Sequence, residues 1–500
     1  MDSHDDRQGP LQDARDWGDE HLLGEFETHL VQFEAGSREK DRHCAVWLQR
    51  EPKHPRDPWA IRAENRQCGL SGYLPGEVAQ WLAPLLDRRA IRVEAVLPAG
   101  RAVGKRIRTI LTVFARPEAA RWFIESEVNT GTDALHDLVR RSYQQCQRST
   151  NPEAARAIAE GLAHLHRAPL RPESRLLIAL LPAIARECLA ARSVAILAAV
   201  RLHLSGVRLG PPHRAGGLVL FPLMGPTGRE PEHLLLADVM DSGDAEVREA
   251  GESGSIARLL VVNRGDRPLL IPEGEILVGA KQNRVVNATV LVAAQSEFEL
   301  PVSCVEQGRW GYQTRTFRSA FWAPPRLRSR KVRSVQQRRN RDGRAESDQS
   351  GVWSDVDRYL SESAVSSSTN SLADGYVANE DRLRLLREDA SLPEAAAGVL
   401  VARGKDVLGI DLFDSPTTFG RLWPRIADAY FLESLRLDSP CSEPPLGIGE
   451  RFLERLIDSA RYRSPPLGLG DEVEFAAAGI IGAGLFYRDR LCHLAAFAEA

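Results

Sequence analysis

The sequence predicts an α+β multidomain protein: a small, mostly-β domain, a helical connector, and a larger domain built on an antiparallel β-sandwich with added helices. Three observations carry this. The chain has 500 residues, more than one hydrophobic core normally serves, so two or three domains are expected. Its hydrophobic periodicity passes from short alternating runs to helix-spaced runs and then to β-branched runs. Finally, turn signals such as "NRGDRP" and "PEGE" fall between the β-branched runs, where strands reverse.

Residues 1–20 are polar and acidic and read as a disordered arm. In 21–116, "HCAVWLQRE" and "RVEAVLPA" are strand-like, while "GEVAQWLAPLLD" has the spacing of an amphipathic helix. Residues 117–205 hold three helix-spaced runs with start signals "TD", "NPE" and "RPE", which makes this segment a helical connector. From 206 to 500 strands dominate, beginning with "GGLVLFPLMG" and "RLLVVNRGDRPLLIPEGEILVG". "GVLVARGKDVLGIDLF" reads as a hairpin turning on Gly404 and Lys405, and the C-terminal stretch as two strands around "YRDR". Within 313–350 the pattern is lost. Between 315 and 344, ten arginines and one lysine face a single acid, Asp342, and "WAPPRLRSRK" argues against a helix. We expect a loop there, one that clamps polyphosphate, an NAD-type ligand or nucleic acid, or that lies on the domain's own acidic face.

Composition narrows the function classes. Net charge is −3, so the chain as a whole is not a basic nucleic-acid binder, and any electrostatic partner must be met locally. The seven cysteines are scattered and never form C-x-x-C, which argues against a disulfide framework or a cysteine-rich zinc site and for a reducing cytoplasm. The acidic start predicts no secretory signal. The longest apolar run, "LLIALLPAIA" at 176–185, is half a bilayer span and contains a proline. The expectation is a cytoplasmic protein with no membrane partner.

One local exception to the charge balance stands out. Residues 25–116 carry 16 Lys and Arg against 11 Asp and Glu, with Arg88, Arg89, Arg92, Lys105, Arg106 and Arg108 forming a basic surface suited to a phosphate backbone. "LQREPKHPRDPWAI", "GYLP" and "LAPLLD" in this region resemble the HIRAN family. The resemblance implies a small β-barrel that binds single-stranded DNA and captures its 3′ end, with Arg56 and Asp57 on the binding loop; Trp59 beside them reads either as a substitute stacker or as a core residue. Where end-binding members carry Asn-Pro-Tyr-Asp, this chain has His54, Pro55, Arg56 and Asp57, and an upstream Arg-Tyr pair falls on Glu34 and Ala35. Loss of those stacking rings is expected to weaken end capture.

"GEILVGAKQNRVVNATVLV" at 274–292, followed by "PVSCVEQGRW" at 301–310, is similar to the ARPP-1 family over about 206–500. That resemblance implies a prokaryotic setting in NAD and ADP-ribose metabolism, defence included. The residues have their own logic. Lysine is used only six times in the chain, yet Lys281 opens the run Lys281, Gln282, Asn283, Arg284. Read as a strand, this run would send Lys281 and Asn283 to one face and Gln282 and Arg284 to the other. A lysine offers a compact, rotatable ammonium where an arginine fork is the wrong shape. Two readings stay open: Lys281 meets a ligand phosphate, or it joins an internal network with Glu306 or Glu275. The ligand reading takes Lys281, Gln282, Asn283, Arg284, Glu306, Arg309 and Trp310 as the site, with ADP-ribose or an NAD-like molecule as partner.

Catalytic residues are not named by the sequence. No histidine occurs between His233 and His493, which removes a His-based triad or dyad formed inside that span. Cys304 follows alternating apolar residues and is expected to be buried and structural. Asp348, Asp355 and Asp357, or Asp406, Asp411 and Asp414, are carboxylate sets weighed for magnesium; no metal ligand and no cofactor is assigned. No P-loop is present. The leading reading is therefore a DNA-binding module joined to a phosphate-ligand-binding domain. A hydrolase of phosphorus-containing anhydrides, with or without metal assistance, is the alternative, and a scaffold without catalysis is the third.

Overall fold

In a computed structural model of the chain, the described residues are 21–34, 44–65, 69–87, 91–98, 107–115, 138–146 (without 140 and 144), 151–163, 172–225, 231–435 (without 241 and 252–256) and 443–499 (without 478). The chain divides into two compact units, Met1–Arg192 and Ser193–Ala500. The 1–20 arm lies outside the described residues.

In the first unit six antiparallel strands close a barrel. Around it run His21–Glu34, Leu70–Tyr73, Ile61–Asn65, Cys44–Arg50, Ile91–Leu97 and Ile107–Ala115, with the first strand pairing both the second and the last. Alternation drives the closure. Ile61, Ala63 and Asn65 point inward, while Arg62 and Glu64 stay at the surface, the period-two pattern of a strand with one buried face. The Gly76–Asp87 helix adds Ala79, Leu82, Ala83 and Leu86 to the same core, a stripe at i, i+3, i+4 and i+7.

The expected helices at "NPE" and "RPE" are present as Pro152–Ala163 and Pro172–Ser205. The first starts as its sequence dictates. Asn151 Oδ1 accepts from the backbone N–H groups of Glu153 and Ala154 at 2.9 and 3.2 Å, and Pro152 takes the first position, where its missing N–H costs nothing. The boundary between the units falls inside the longer helix. No helix among the described residues is long and apolar enough to cross a membrane.

The second unit is α+β. A nine-stranded sheet, a six-stranded sheet and a three-stranded sheet are packed with helices. Strands Gly398–Arg403 and Asp406–Phe413 form the hairpin on Gly404, and Ile480–Tyr487 pairs with Arg490–Ala498 across Arg488 and Asp489. The six-stranded sheet carries Glu275–Gly279 and Arg284–Val286, paired antiparallel so that Leu277 faces Arg284. Lys281–Asn283 is thus a turn between two strands, and the strand alternation expected for it does not apply. Gly279 at φ +126° and Ala280 at φ +39° reverse the chain there. A Cβ on Gly279 would come within 2.6 Å of Thr314 Oγ1, so only glycine fits.

The arginine-rich segment expected as a loop is instead helical over Pro325–Asp342. The two prolines start the helix rather than break it, since Pro325 sits in the first turn. Gly343, at φ +76°, ends it as a left-handed C-terminal cap. Its charges lie on the domain's own acids. Arg330 pairs with Asp355, Arg333 with Glu499, Arg338 with Glu346 and Arg339 with Glu472.

Candidate functional site

On the barrel, Arg56, Asp57 and Trp59 share the loop between Cys44–Arg50 and Ile61–Asn65. A residue missed in the sequence holds this loop. Arg50, nearly buried, donates to Asp87 through Nε and Nη2 at 2.8 and 2.9 Å. It also donates to the carbonyls of Ala60 and Pro58 at 2.6 and 3.1 Å. One guanidinium therefore ties the loop to the end of the Gly76–Asp87 helix. Asp57 Oδ1 accepts from the Trp59 N–H at 2.9 Å, an Asx turn that sets the position of an exposed indole. Arg92 is not free for a phosphate backbone: it pairs with Glu94 and lies over the Phe114 ring. Arg108 is exposed on the Ile107–Ala115 strand. Arg88, Arg89, Lys105 and Arg106 lie outside the described residues.

In the second unit, the sequence-selected residues around Lys281 come together and separate into two roles. Asn283, Glu306 and Arg309 brace the turn. The Asn283 N–H donates to Glu306 Oε2 at 3.0 Å, and the Asn283 side chain accepts from Gly279 N and donates to Ser371. Arg309 donates to both Glu306 oxygens at 2.8 and 2.6 Å and to the Ala280 carbonyl at 2.6 Å. Burial acts to raise the Glu306 carboxyl, but the Arg309 and Asn283 hydrogen bonds outweigh it and hold the group below its ordinary range. Glu275, the other acid proposed for Lys281, meets Arg425 and Ser319.

Lys281, Gln282 and Arg284 form the second group. Arg284 is completely buried and donates to Gln282 Oε1 at 2.9 Å and to Cys304 Sγ at 2.6 Å. The Lys281 ammonium lies 5.5 Å from the Trp310 ring centre and 5.1 Å from that of Tyr312; the Arg284 guanidinium lies 5.8 Å from Trp310. These two rings are 50% and 55% exposed, whereas Lys281 is 8% exposed. Large aromatic faces open to water thus stand directly over cations. Tyr312 was not selected from the sequence, though "RWGYQ" places two rings two residues apart. Glu249 was also missed, and nothing local in "REAGES" signals it.

Cys304 is buried, as expected, and burial pushes its thiol up to about 11 despite the neighbouring Arg284. It is pinned by Gln349, whose side chain accepts from the Cys304 N–H and donates to its carbonyl.

The histidines at the edges of the long gap both reach "DLFD". His233 Nε2 lies 3.0 Å from Asp414 Oδ2, and His493 Nε2 lies 3.5 Å from Asp411 Oδ1. Asp406 is exposed, and Asp411 and Asp414 take separate partners. Asp355 pairs with Arg330 while Asp357 is exposed.

Comparison with known proteins follows this division of the chain. The model for the ARG and Rhodanese-Phosphatase-superfamily-associated Protein domain, ARPP-1, matches residues 206–497. The chain belongs to the ARPP-1 family. A HIRAN-domain model matches residues 23–116, the barrel. The helicase-like transcription factor of Oryctolagus cuniculus is 34% identical over 82 residues, 16% of this chain and 8% of that protein, so the chain spans only a small part of this relative. Among solved structures, the crystal structure of the HIRAN domain of human HLTF is 24% identical, covers 23% of this chain and 97% of its own, and has a TM-score of 0.19. The HLTF HIRAN domain in its DNA-bound conformation is 27% identical, covers 21% and 84%, and has a TM-score of 0.18. The Lys281 cluster lies wholly inside the ARPP-1 match, and the Arg50-braced loop wholly inside the HIRAN match.

Proposed function

We propose that this protein joins a single-stranded-DNA-binding HIRAN barrel to an ARPP-1 domain that binds a phosphate-bearing ligand carrying a flat ring. The observation behind the ligand site is the pairing of two half-exposed rings, Trp310 and Tyr312, with the Lys281 ammonium and the Arg284 guanidinium. A ring stacks on the indole while a phosphate takes the charge of Lys281, the buried Arg284 adds to the positive field beneath it, and the Glu306–Arg309–Asn283 brace keeps the turn in place. ADP-ribose and NAD-like molecules have this combination of groups. On the barrel, the HIRAN match and the braced loop presenting Trp59 and Arg56 support DNA binding.

Calorimetric titration of the full chain with ADP-ribose, NAD and a short single-stranded DNA tests both halves. Lys281→Ala and Trp310→Ala are expected to weaken the nucleotide at least about tenfold and leave DNA unchanged; Trp59→Ala is expected to do the reverse. Nucleotide binding that is indifferent to both Lys281 and Trp310 would remove the ligand reading.

A further inference from the structure

Glu249 stands beside this site with an acceptor left open. Its side chain is buried, and its Oε2 has no hydrogen-bond partner. Its Oε1 has only long contacts, 3.4 Å to the Lys281 N–H and 3.8 Å to Arg284 Nη2; the second is beyond hydrogen-bonding range. Buried carboxylates normally accept several good hydrogen bonds. Two others in the same domain do so. Glu306 takes Asn283 and both arms of Arg309, and Glu273 takes Arg328 and Lys331. Glu249 leaves an oxygen unused, as Glu275 does elsewhere in the same sheet, and it does so 3.8 Å from the Arg284 guanidinium and against the backbone of Lys281.

We infer that Glu249 accepts a hydrogen bond from a sugar hydroxyl of the ligand, so that the ARPP-1 site selects ribonucleotides over bare phosphates. The inference rests on the ligand reading above. An ionised carboxylate accepts only, so its partner must be a donor, which the doubly substituted phosphates of an ADP-ribose- or NAD-like ligand are not. A negative charge beside a phosphate site also disfavours inorganic anions that bring no compensating donor. The donor has to be small, because Glu249 is enclosed. It also has to lie near the phosphate, because the carboxylate lies 3.8 Å from Arg284 Nη2 and against the Lys281 backbone. In a nucleotide the ribose hydroxyls meet both conditions, lying between the ring that stacks on Trp310 and the phosphate.

The test uses the full chain with ADP, 2′,3′-dideoxy-ADP and inorganic pyrophosphate. The wild type is expected to bind ADP about 10- to 100-fold more tightly than dideoxy-ADP, the loss of one charge-assisted hydrogen bond with its buried acceptor left unpaired, and to bind pyrophosphate more weakly still. Glu249→Gln is expected to shrink the ADP preference by weakening the acceptor. Glu249→Asp keeps the charge opposite Arg284 while drawing the carboxylate back, and should do the same in a chain whose melting temperature is nearly unchanged. If ADP and dideoxy-ADP bind equally to the wild type while Lys281→Ala abolishes both, the hydroxyl contact is wrong and the phosphate site stands. If no nucleotide binds, both are wrong.

Discussion

Arg328 holds both oxygens of Asp411, at 2.7 and 3.0 Å, with neither side chain exposed to solvent. The pair joins the Pro325–Asp342 helix to the Asp406–Phe413 strand of the nine-stranded sheet. Around it, Arg328 Nε reaches Glu273 at 3.0 Å, Lys331 reaches Glu273 at 2.7 Å and the Val286 carbonyl at 2.6 Å, and Tyr430 donates to Asp411 at 3.0 Å. Two cations and two carboxylates share one dry compartment, and each is bound by more than one neighbour. Burial opposes every charge there. The mutual attraction outweighs it for Glu273 and Asp411, whose carboxyls are held below the usual range. For Lys331 burial wins and lowers its pKa.

Removing one member of such a set leaves an uncompensated charge in the core. Arg328→Ala is therefore expected to destabilise the second unit by about 3–5 kcal/mol, read as a lower midpoint in urea. Asp411→Asn should cost a comparable amount. The two changes made together should cost clearly less than the sum of the single changes, because the second removes the charge that the first left unpaired. Additive losses would mean that the pair is not coupled.

The same compartment gives the domain an acid limit. Glu273 and Asp411 have folded-state pKa values below those of the unfolded chain. Their stabilising contribution is complete above the ordinary carboxylate range, about pH 4, and is lost as pH falls through the lower folded values. Melting temperature measured from pH 7 downward should hold until about pH 5 and then fall. Asp411→Asn should start lower and fall less steeply across the acid range, since it no longer has that proton to take up.

Gly274 allows the compartment to close. It adopts φ +90°, and a Cβ built there would lie 2.6 Å from Arg328 Nε and 3.1 Å from Trp322 Nε1. Gly274→Ala combines a strained backbone with a clash against a fully buried arginine. We expect a loss of about 2–4 kcal/mol, visible in the same urea midpoint. A neutral result would show that Arg328 is able to move, which contradicts its bidentate hold on Asp411.

How legible these features were differs by element. The barrel strands and "NPE" helix could be read because their alternation and capping are local. The Pro325–Asp342 helix could not, because nearly half of its buried stripe is polar or charged. Leu327, Val332 and Val335 alternate with Arg328, Lys331 and Gln336 as interior residues, so a hydrophobic count sees only a basic loop. Their acidic partners Glu273 and Asp411 lie 55 and 83 residues away. The Lys281 cluster was legible as a chemistry-bearing run, but its division into a brace around Glu306 and a set beneath the Trp310 and Tyr312 rings depends on contacts distant in sequence. Glu249, 32 residues from Lys281, enters only through the sheet.

Cys304 provides a chemical check on the interior of the site. Burial raises its thiol to about 11, so at pH 8 almost none of it is thiolate, and the sulfur is shielded. Peptide-resolved mass spectrometry after iodoacetamide treatment at pH 8 should find Cys304 unmodified in the folded chain and fully modified in urea. Rapid labelling of the native protein would show that the Gln282–Arg284 layer opens.

The barrel loop allows positioning to be separated from contact. Trp59 is exposed and would touch a base, whereas the Arg50 side chain is nearly buried and only fixes the loop through Asp87, Ala60 and Pro58. Trp59→Ala should weaken single-stranded DNA by about 1–3 kcal/mol, the worth of one stacking platform, with little change in melting temperature. Arg50→Ala should weaken the same DNA while also destabilising the first unit, because the buried carbonyl of Ala60 loses its donor and Asp87 its partner. Asp87→Asn then discriminates: it keeps a hydrogen-bond acceptor for Arg50 but removes the charge, and should lower DNA affinity less than Arg50→Ala does. Fluorescence anisotropy with a labelled oligonucleotide, run beside thermal melts of each variant, reads both quantities. If Arg50→Ala lowers stability but leaves DNA affinity intact, the loop does not need its brace to bind, and recognition lies elsewhere on the barrel.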